Sequence, residues 1–123
     1  MPTDPTTYGP YSPAVVVGDT VYISGQTPVN AETGNAPVSI SDQVTQALEN
    51  LKAVLGSVQA SMDNVVKTTI YLTDMSDFAE MNEAYVKYFK QPRPARTTVA
   101  VKELPRIGDT PLKIEIDAIA VKA

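Results

Sequence analysis

Between residues 44 and 58 the apolar side chains return with the period of a helix; between residues 112 and 121 they return with the period of a strand. Val44, Ala47, Leu48, Leu51, Val54, Leu55 and Val58 occupy i, i+3, i+4, i+7, i+10, i+11 and i+14, a single stripe on a helix predicted over about residues 41–59. Ser39 with Asp42 three residues later, or Ser41 itself, is positioned to cap its start. In the last run Leu112, Ile114, Ile116, Ala118 and Ala120 share one face, and Lys113, Glu115, Asp117, Ile119 and Val121 share the other. A one-sided helix and a one-sided strand bury their apolar faces most simply against each other, in layers.

The remaining segments extend that pattern. Ala14–Val17 and Thr20–Ser24 are β-branched runs joined by Gly18-Asp19, a two-residue connection suited to a tight hairpin. Val65–Leu72 reads as a strand with Val66, Thr68, Ile70 and Leu72 on one face and Lys67, Thr69 and Tyr71 on the other. A second helix is expected from about Met75 to Phe89, with Phe78, Met81, Tyr85 and Tyr88 or Phe89 inward. Pro92 and Pro94 end it before a strand at Ala95–Val101, and Leu112–Val121 is the last strand. The order β-β-α-β-α-β-β implies a single domain over residues 1–123, one sheet with two helices on one face, and residues 1–7 as a loose arm. The opposite sheet face, with Thr69, Tyr71, Thr98, Ala100, Ile119 and Val121 assigned to it, is too apolar to stay solvated, which points to self-association.

Composition narrows the chemistry. The chain has no histidine and no cysteine, so Ser-His-Asp and Cys-His nucleophiles, disulfides and imidazole- or thiolate-bound metals are all excluded. Acid–base work falls to Asp, Glu, Lys, Tyr or water. A net charge of −4, with scattered Lys and Arg, disfavours nucleic acid and anionic membrane as partners. No apolar stretch approaches membrane-spanning length and the first residues lack signal-peptide character, so a cytoplasmic address is expected.

Six segments, in order, carry a resemblance. They are Gly9-Pro10-Tyr11-Ser12; Ile23-Ser24-Gly25-Gln26 with Pro28; Val66–Leu72 followed by Asp74; Met81–Tyr85 with Phe89; Pro94–Thr98; and Ile114–Ala120. Together they make the chain resemble the reactive intermediate deaminase (RidA/YjgF) family from about residue 8 to residue 121. The resemblance implies a chorismate-mutase-like α+β fold with a mixed sheet, a homotrimer with clefts between subunits, and no cofactor or metal. It also implies the hydrolysis of enamine and imine intermediates, such as 2-aminoacrylate and the imines of 2-ketobutyrate and pyruvate, released by pyridoxal-phosphate-dependent dehydratases. The products are 2-keto acids and ammonia.

The same resemblance singles out seven residues, each of which also has a plain structural reading. Arg96 can grip a substrate carboxylate through its planar donor fork, or pair with an acid on the surface. Glu115 can orient water and carry a proton, or be an exposed strand carboxylate as Asp117 is. Tyr11 can donate its hydroxyl, or pack its loop on the core. Ser24 and Gly25 sit where a strand is expected to turn into a loop and the backbone can approach a ligand. Asn82 borders the apolar stripe of the second helix, and Thr98 occupies a place where some relatives carry cysteine. Catalysis is thus assigned to Arg96, Glu115 and Tyr11, and substrate contact to Arg96, Thr98, Asn82, Ser24 and Gly25. Burial raises and a nearby Arg96 lowers the proton affinity of Glu115, and sequence does not decide between them. Pro13 stands where many relatives carry glutamine, the stretch Lys90–Arg93 is shorter than in some relatives, and the polar Leu104–Pro111 loop is expected to be able to close over a ligand. A carboxylate-binding regulator is the alternative function; ribonuclease and chaperone roles rank below it.

Overall fold

The computed structural model describes residues 7–122; the arm expected over residues 1–7 falls almost wholly outside them. Five strands form one mixed sheet: β1 (Ala14–Val17), β2 (Thr20–Gln26), β3 (Val65–Leu72), β4 (Ala95–Ala100) and β5 (Ile114–Val121). Their spatial order is β1-β2-β5-β3-β4, antiparallel throughout except for the parallel β3–β4 pair. Helices α1 (Ile40–Ser57) and α2 (Phe78–Tyr85) share one core with the buried face of the sheet. This is the α+β arrangement expected from the two periodicities.

Local chemistry explains most of the elements. Gly18 adopts φ 60° in the β1–β2 hairpin, a conformation that costs glycine nothing. Ser39 caps α1, its hydroxyl accepting from the Asp42 N–H at 3.1 Å. Six of the seven stripe residues of α1, Val44 to Leu55, are fully or almost fully buried, and Val58 packs at the margin. Opposite them lie Val21, Ile23, Ile70, Leu72, Ile114, Ile116, Ala118 and Ala120.

The structure departs from the sequence expectations in four places. In β3, Val65 and not Val66 points inward, because a register shift between Val65 and Lys67 inserts one residue against β5 and leaves Val66 exposed. The second helix is broken into a short 3-10 turn at Met75–Asp77, α2, and another 3-10 turn at Val86–Tyr88, and Phe78 is exposed. The last strand begins at Ile114; Leu112 instead joins Val29, Ala36, Leu104 and Ile107 in a second small cluster under the 104–112 loop. Thr98 and Ala100 lie on the helix side of the sheet, because the parallel register sets them beside Ile70 and Leu72. The uncovered face instead presents Val15, Val17, Tyr22 and Val121 as exposed apolar groups, with Thr69 and Tyr71 half-buried among them.

A polar residue beside the α1 stripe fastens the long loop to the core. Gln43 is fully buried, and its amide donates to the Pro37 and Pro111 carbonyls (2.8 and 3.0 Å) while its oxygen accepts from the Lys113 N–H (2.8 Å). Removing it strands several buried backbone groups, each costing about 1–3 kcal/mol. Gln43→Leu is therefore expected to destabilise the protein by about 2–4 kcal/mol, read as a lower denaturant midpoint with an unchanged m-value.

Candidate functional site

The site begins with an irregularity in β2. Its ladder with β5 pairs Ile23 with Ala118 and then Gln26 with Ile116, so Ser24 and Gly25 together face the single residue Asp117. The extra residue is a β-bulge, and it lies inside the strand, not at the strand-to-loop turn expected from sequence. The bulge presses Gly25 against Glu115: a β-carbon at residue 25 would fall on Glu115 Oε2 and within 2.7 Å of its Cδ. Glycine is required here for close approach and not for backbone conformation.

Ser24 is tied to the preceding segment through both its side chain and its backbone. Its hydroxyl donates to the Ser12 carbonyl at 2.6 Å, and its N–H to the Pro13 carbonyl at 3.0 Å. These bonds hold the Gly9–Ser12 segment over the bulge. Tyr11, Tyr8, Ser24, Gly25, Thr27, Pro105, Ile107 and Glu115 together line a cleft of about 340 Å³. Tyr8, Thr27, Pro105 and Ile107 were not anticipated as site residues. Pro105 and Ile107 belong to a loop pinned by Gln43 and by Asn35, whose Oδ1 accepts from the Asp109 N–H at 2.7 Å. The loop is a fastened wall.

Glu115 projects from β5 toward the uncovered face of the sheet, beside this cleft. Burial, and secondarily the charge of Asp117, push its carboxyl above the ordinary glutamate range. On the same face the Tyr71 hydroxyl donates to Asp117 Oδ2 at 2.8 Å, which raises the Tyr71 phenol in turn.

Arg96 is elsewhere. The β3–β4 register places it beside Thr68 on the helix side, with its guanidinium 4.9 Å from the Tyr85 ring centroid and 5.7 Å from that of Phe78. Tyr85 is buried and fixed by a 2.8 Å hydrogen bond with Thr68, so the aromatic platform under Arg96 is rigid. Thr98 follows on the same side of β4, and Asn82 lies on α2 between Phe78 and Tyr85. The buried Asn82 Oδ1 has no hydrogen-bond partner among the described residues. The seven residues thus fall into two groups on opposite sides of the sheet: Tyr11, Ser24, Gly25 and Glu115, and Asn82, Arg96 and Thr98. Within one chain the sheet separates Arg96 from Glu115, and the Glu115 carboxyl answers to burial and Asp117. Among the described residues no cluster of three or more His, Cys, Asp or Glu is placed to hold a metal, and no helix is long and apolar enough to cross a membrane.

Two consequences can be measured. Gly25→Ala should drive the Glu115 carboxylate out of its place while costing about 1–3 kcal/mol, the range for overpacking, visible as a shifted Glu115 carboxyl resonance and a lower melting temperature. Glu115 also carries a stability signature. A carboxyl whose folded pKa lies above its unfolded one destabilises the fold once ionised, so its contribution is lost as pH rises from the usual glutamate range through the folded value. Glu115→Gln is expected to raise the melting temperature at pH 7 and to leave it unchanged at a pH below both values.

The family model described as Endoribonuclease L-PSP matches residues 1–122. The chain is 45% identical over 119 residues to a RutC family protein of Pyrococcus horikoshii, covering 96% of this chain and 91% of that one. It is 38% identical over 122 residues to an Escherichia coli protein provisionally named reactive intermediate deaminase TdcF, covering 97% and 92%. The crystal structure of that protein with bound serine superimposes with a TM-score of 0.88 over 97% of this chain and 93% of that one. RidA from the Antarctic bacterium Psychrobacter sp. PAMC 21119 superimposes with a TM-score of 0.90 at 41% identity, over 98% and 96% of the two chains. With this fold, this bulge and these matches along its length, the chain belongs to the endoribonuclease L-PSP family, also called YjgF/RidA.

Proposed function

We propose that the protein hydrolyses imines of small 2-amino acids to 2-keto acids and ammonia, at a site assembled from two copies of the chain. One observation carries the reading. The group suited to hold a carboxylate (Arg96 on its aromatic platform) and the group suited to move a proton (Glu115 in its cleft) sit on opposite sides of one sheet, each incomplete. A second copy, covering the exposed apolar side of the sheet, brings its Arg96, Asn82 and Thr98 to the Glu115 cleft of the first. Burying such surface is favourable at about 25 cal/mol per Å², and the free Asn82 Oδ1 gains a donor from the substrate or the neighbouring copy. A closed ring of three copies satisfies every such interface.

In this site the Arg96 guanidinium holds the substrate carboxylate by two parallel hydrogen bonds and sets the adjacent C=N carbon over Glu115. Water adds to that carbon of the protonated imine as Glu115 accepts its proton, giving a carbinolamine. Glu115 then gives the proton to nitrogen, the C–N bond breaks and ammonia leaves as the carbonyl forms, and the hydroxyl proton released in that step passes to Glu115 and then to solvent. No covalent intermediate is needed, which suits a chain without histidine or cysteine. The amino acid bound by the Escherichia coli relative is of the same chemical class as this substrate. Its source would be a pyridoxal-phosphate-dependent dehydratase, and a cytoplasmic location matches that supply. The family description names an endoribonuclease, but a net charge of −4 disfavours a polyanionic substrate here.

The test couples the protein to a threonine or serine dehydratase and follows 2-keto acid release while semicarbazide traps free imine. The wild type should outrun the trap, and Arg96→Ala and Glu115→Gln should each lose at least about 10²-fold. Mixing the two inactive variants should restore about a quarter of the activity, since random assembly joins two intact halves one time in four. A wild type that never outruns the trap with small aliphatic imines would sink the reading.

A further inference from the structure

The uncovered face of β5 carries a second carboxylate that the proposed reaction does not use. Asp117 follows Glu115 by two residues on the same face, at the ~7 Å spacing of alternate strand positions. Directly across the ladder from Glu115 stands Tyr71. Its hydroxyl does not bond Glu115; it reaches along the strand and donates to Asp117 Oδ2 at 2.8 Å. That diagonal contact fixes the Asp117 carboxylate and lays the Tyr71 side chain beside Glu115. On the other flank the Ser24-Gly25 bulge faces Asp117 and carries Gly25 against Glu115.

No cation of this face is committed to Asp117. Lys67, on β3, donates to the Thr68 carbonyl (3.2 Å), Thr69 Oγ1 (3.3 Å) and Thr97 Oγ1 (3.1 Å). Lys113, ahead of Glu115 in the chain, lies by Asp74 and acts on its carboxyl. The loop that walls the cleft carries Lys102, Glu103, Arg106 and Asp109, and the phenols Tyr22, Tyr8 and Tyr11 also lie on this side. Of the charged groups, Asp117 is the one that acts on the Glu115 carboxyl.

We propose that Asp117, pinned by the Tyr71 hydroxyl, is a positioning residue that acts through Glu115, its fixed negative charge letting Glu115 hold the proton it takes from water until ammonia departs. This inference rests on the deaminase reading for its chemical role. A carboxylate that must both accept and return a proton works best when its proton affinity lies close to the working pH. Burial moves Glu115 in that direction, and Asp117 moves it further. The Tyr71 bond holds the Asp117 carboxylate in place beside Glu115.

The experiment compares wild type with Asp117→Asn, Asp117→Glu and Tyr71→Phe in two readouts: the carbon-13 titration of the Glu115 carboxyl, and the pH profile of kcat/KM in the coupled assay. In Asp117→Asn the Glu115 titration and the acid limb should both move to lower pH, with kcat at pH 7 falling by about threefold to tenfold and KM little changed. Tyr71→Phe should shift both in the same direction by less, and Asp117→Glu should restore them. An unmoved Glu115 titration in Asp117→Asn and Tyr71→Phe overturns the inference, even in a fully active deaminase. A shifted titration in a protein that hydrolyses no imine upholds the coupling and overturns the deaminase reading alone. Should Asp117→Asn fail to fold, Tyr71→Phe decides the matter by the same titration.

Discussion

The structure hangs on β5, the central strand of the sheet, hydrogen-bonded to β2 along one edge and to β3 along the other. Its inward residues, Ile114, Ile116, Ala118 and Ala120, sit at the centre of the core against α1. Side chains alternate strictly along a strand, so fixing those four also fixes the direction of Glu115 and Asp117. A slip of one residue would bury both carboxylates and expose the isoleucines, at a cost of several kcal/mol. The aim of Glu115 is thus a by-product of core packing, guaranteed by the most strongly specified register in the molecule.

Around that fixed carboxylate the remaining parts are adjustments of a few ångströms. The β2 bulge adds one residue, and with it Gly25 reaches the Glu115 side chain. Ser24, at the same bulge, secures the segment bearing Tyr11. Gln43, from the helix layer, ties the end of the loop whose Pro105 and Ile107 form the opposite wall. These contacts are built from backbone groups and polar side chains, and they fasten the segments on both sides of the cleft.

Arg96 follows another logic. Edge strand β4 pairs with β3 in parallel, and that register turns Arg96 toward α2, where Tyr85 and Phe78 receive its guanidinium. Stacking on rings holds the guanidinium plane and leaves its edge donors for a ligand. The exposure of Phe78, unfavourable for a core residue, makes sense as part of this platform. The two groups are separated by the thickness of the sheet, and the proposed association of copies would act through the apolar surface around Val15, Val17, Tyr22 and Val121.

By itself the sequence determined the elements whose periodicity was long and one-sided. The α1 stripe, its Ser39 cap, the Gly18 hairpin and the alternation of Ile114–Val121 follow from local rules, and the six matching segments carried the family. Tertiary structure alone decided where one residue was inserted and which side of the sheet an edge strand presented. The Val66 and Ser24-Gly25 irregularities leave no mark on a hydrophobic pattern, because one extra residue in a strand is visible only against the partner it fails to match. Thr98 and Ala100 went to the wrong face for a related reason: in the half-exposed strand β4, both faces carry similar residues, and only pairing with β3 sets the register. Gln43, Tyr71 and the platform under Arg96 were hidden because their roles depend on partners elsewhere in the chain, from 11 residues away for Arg96 and Tyr85 to 70 for Gln43 and Lys113, and contacts at that range are written in the fold and not in local spacing.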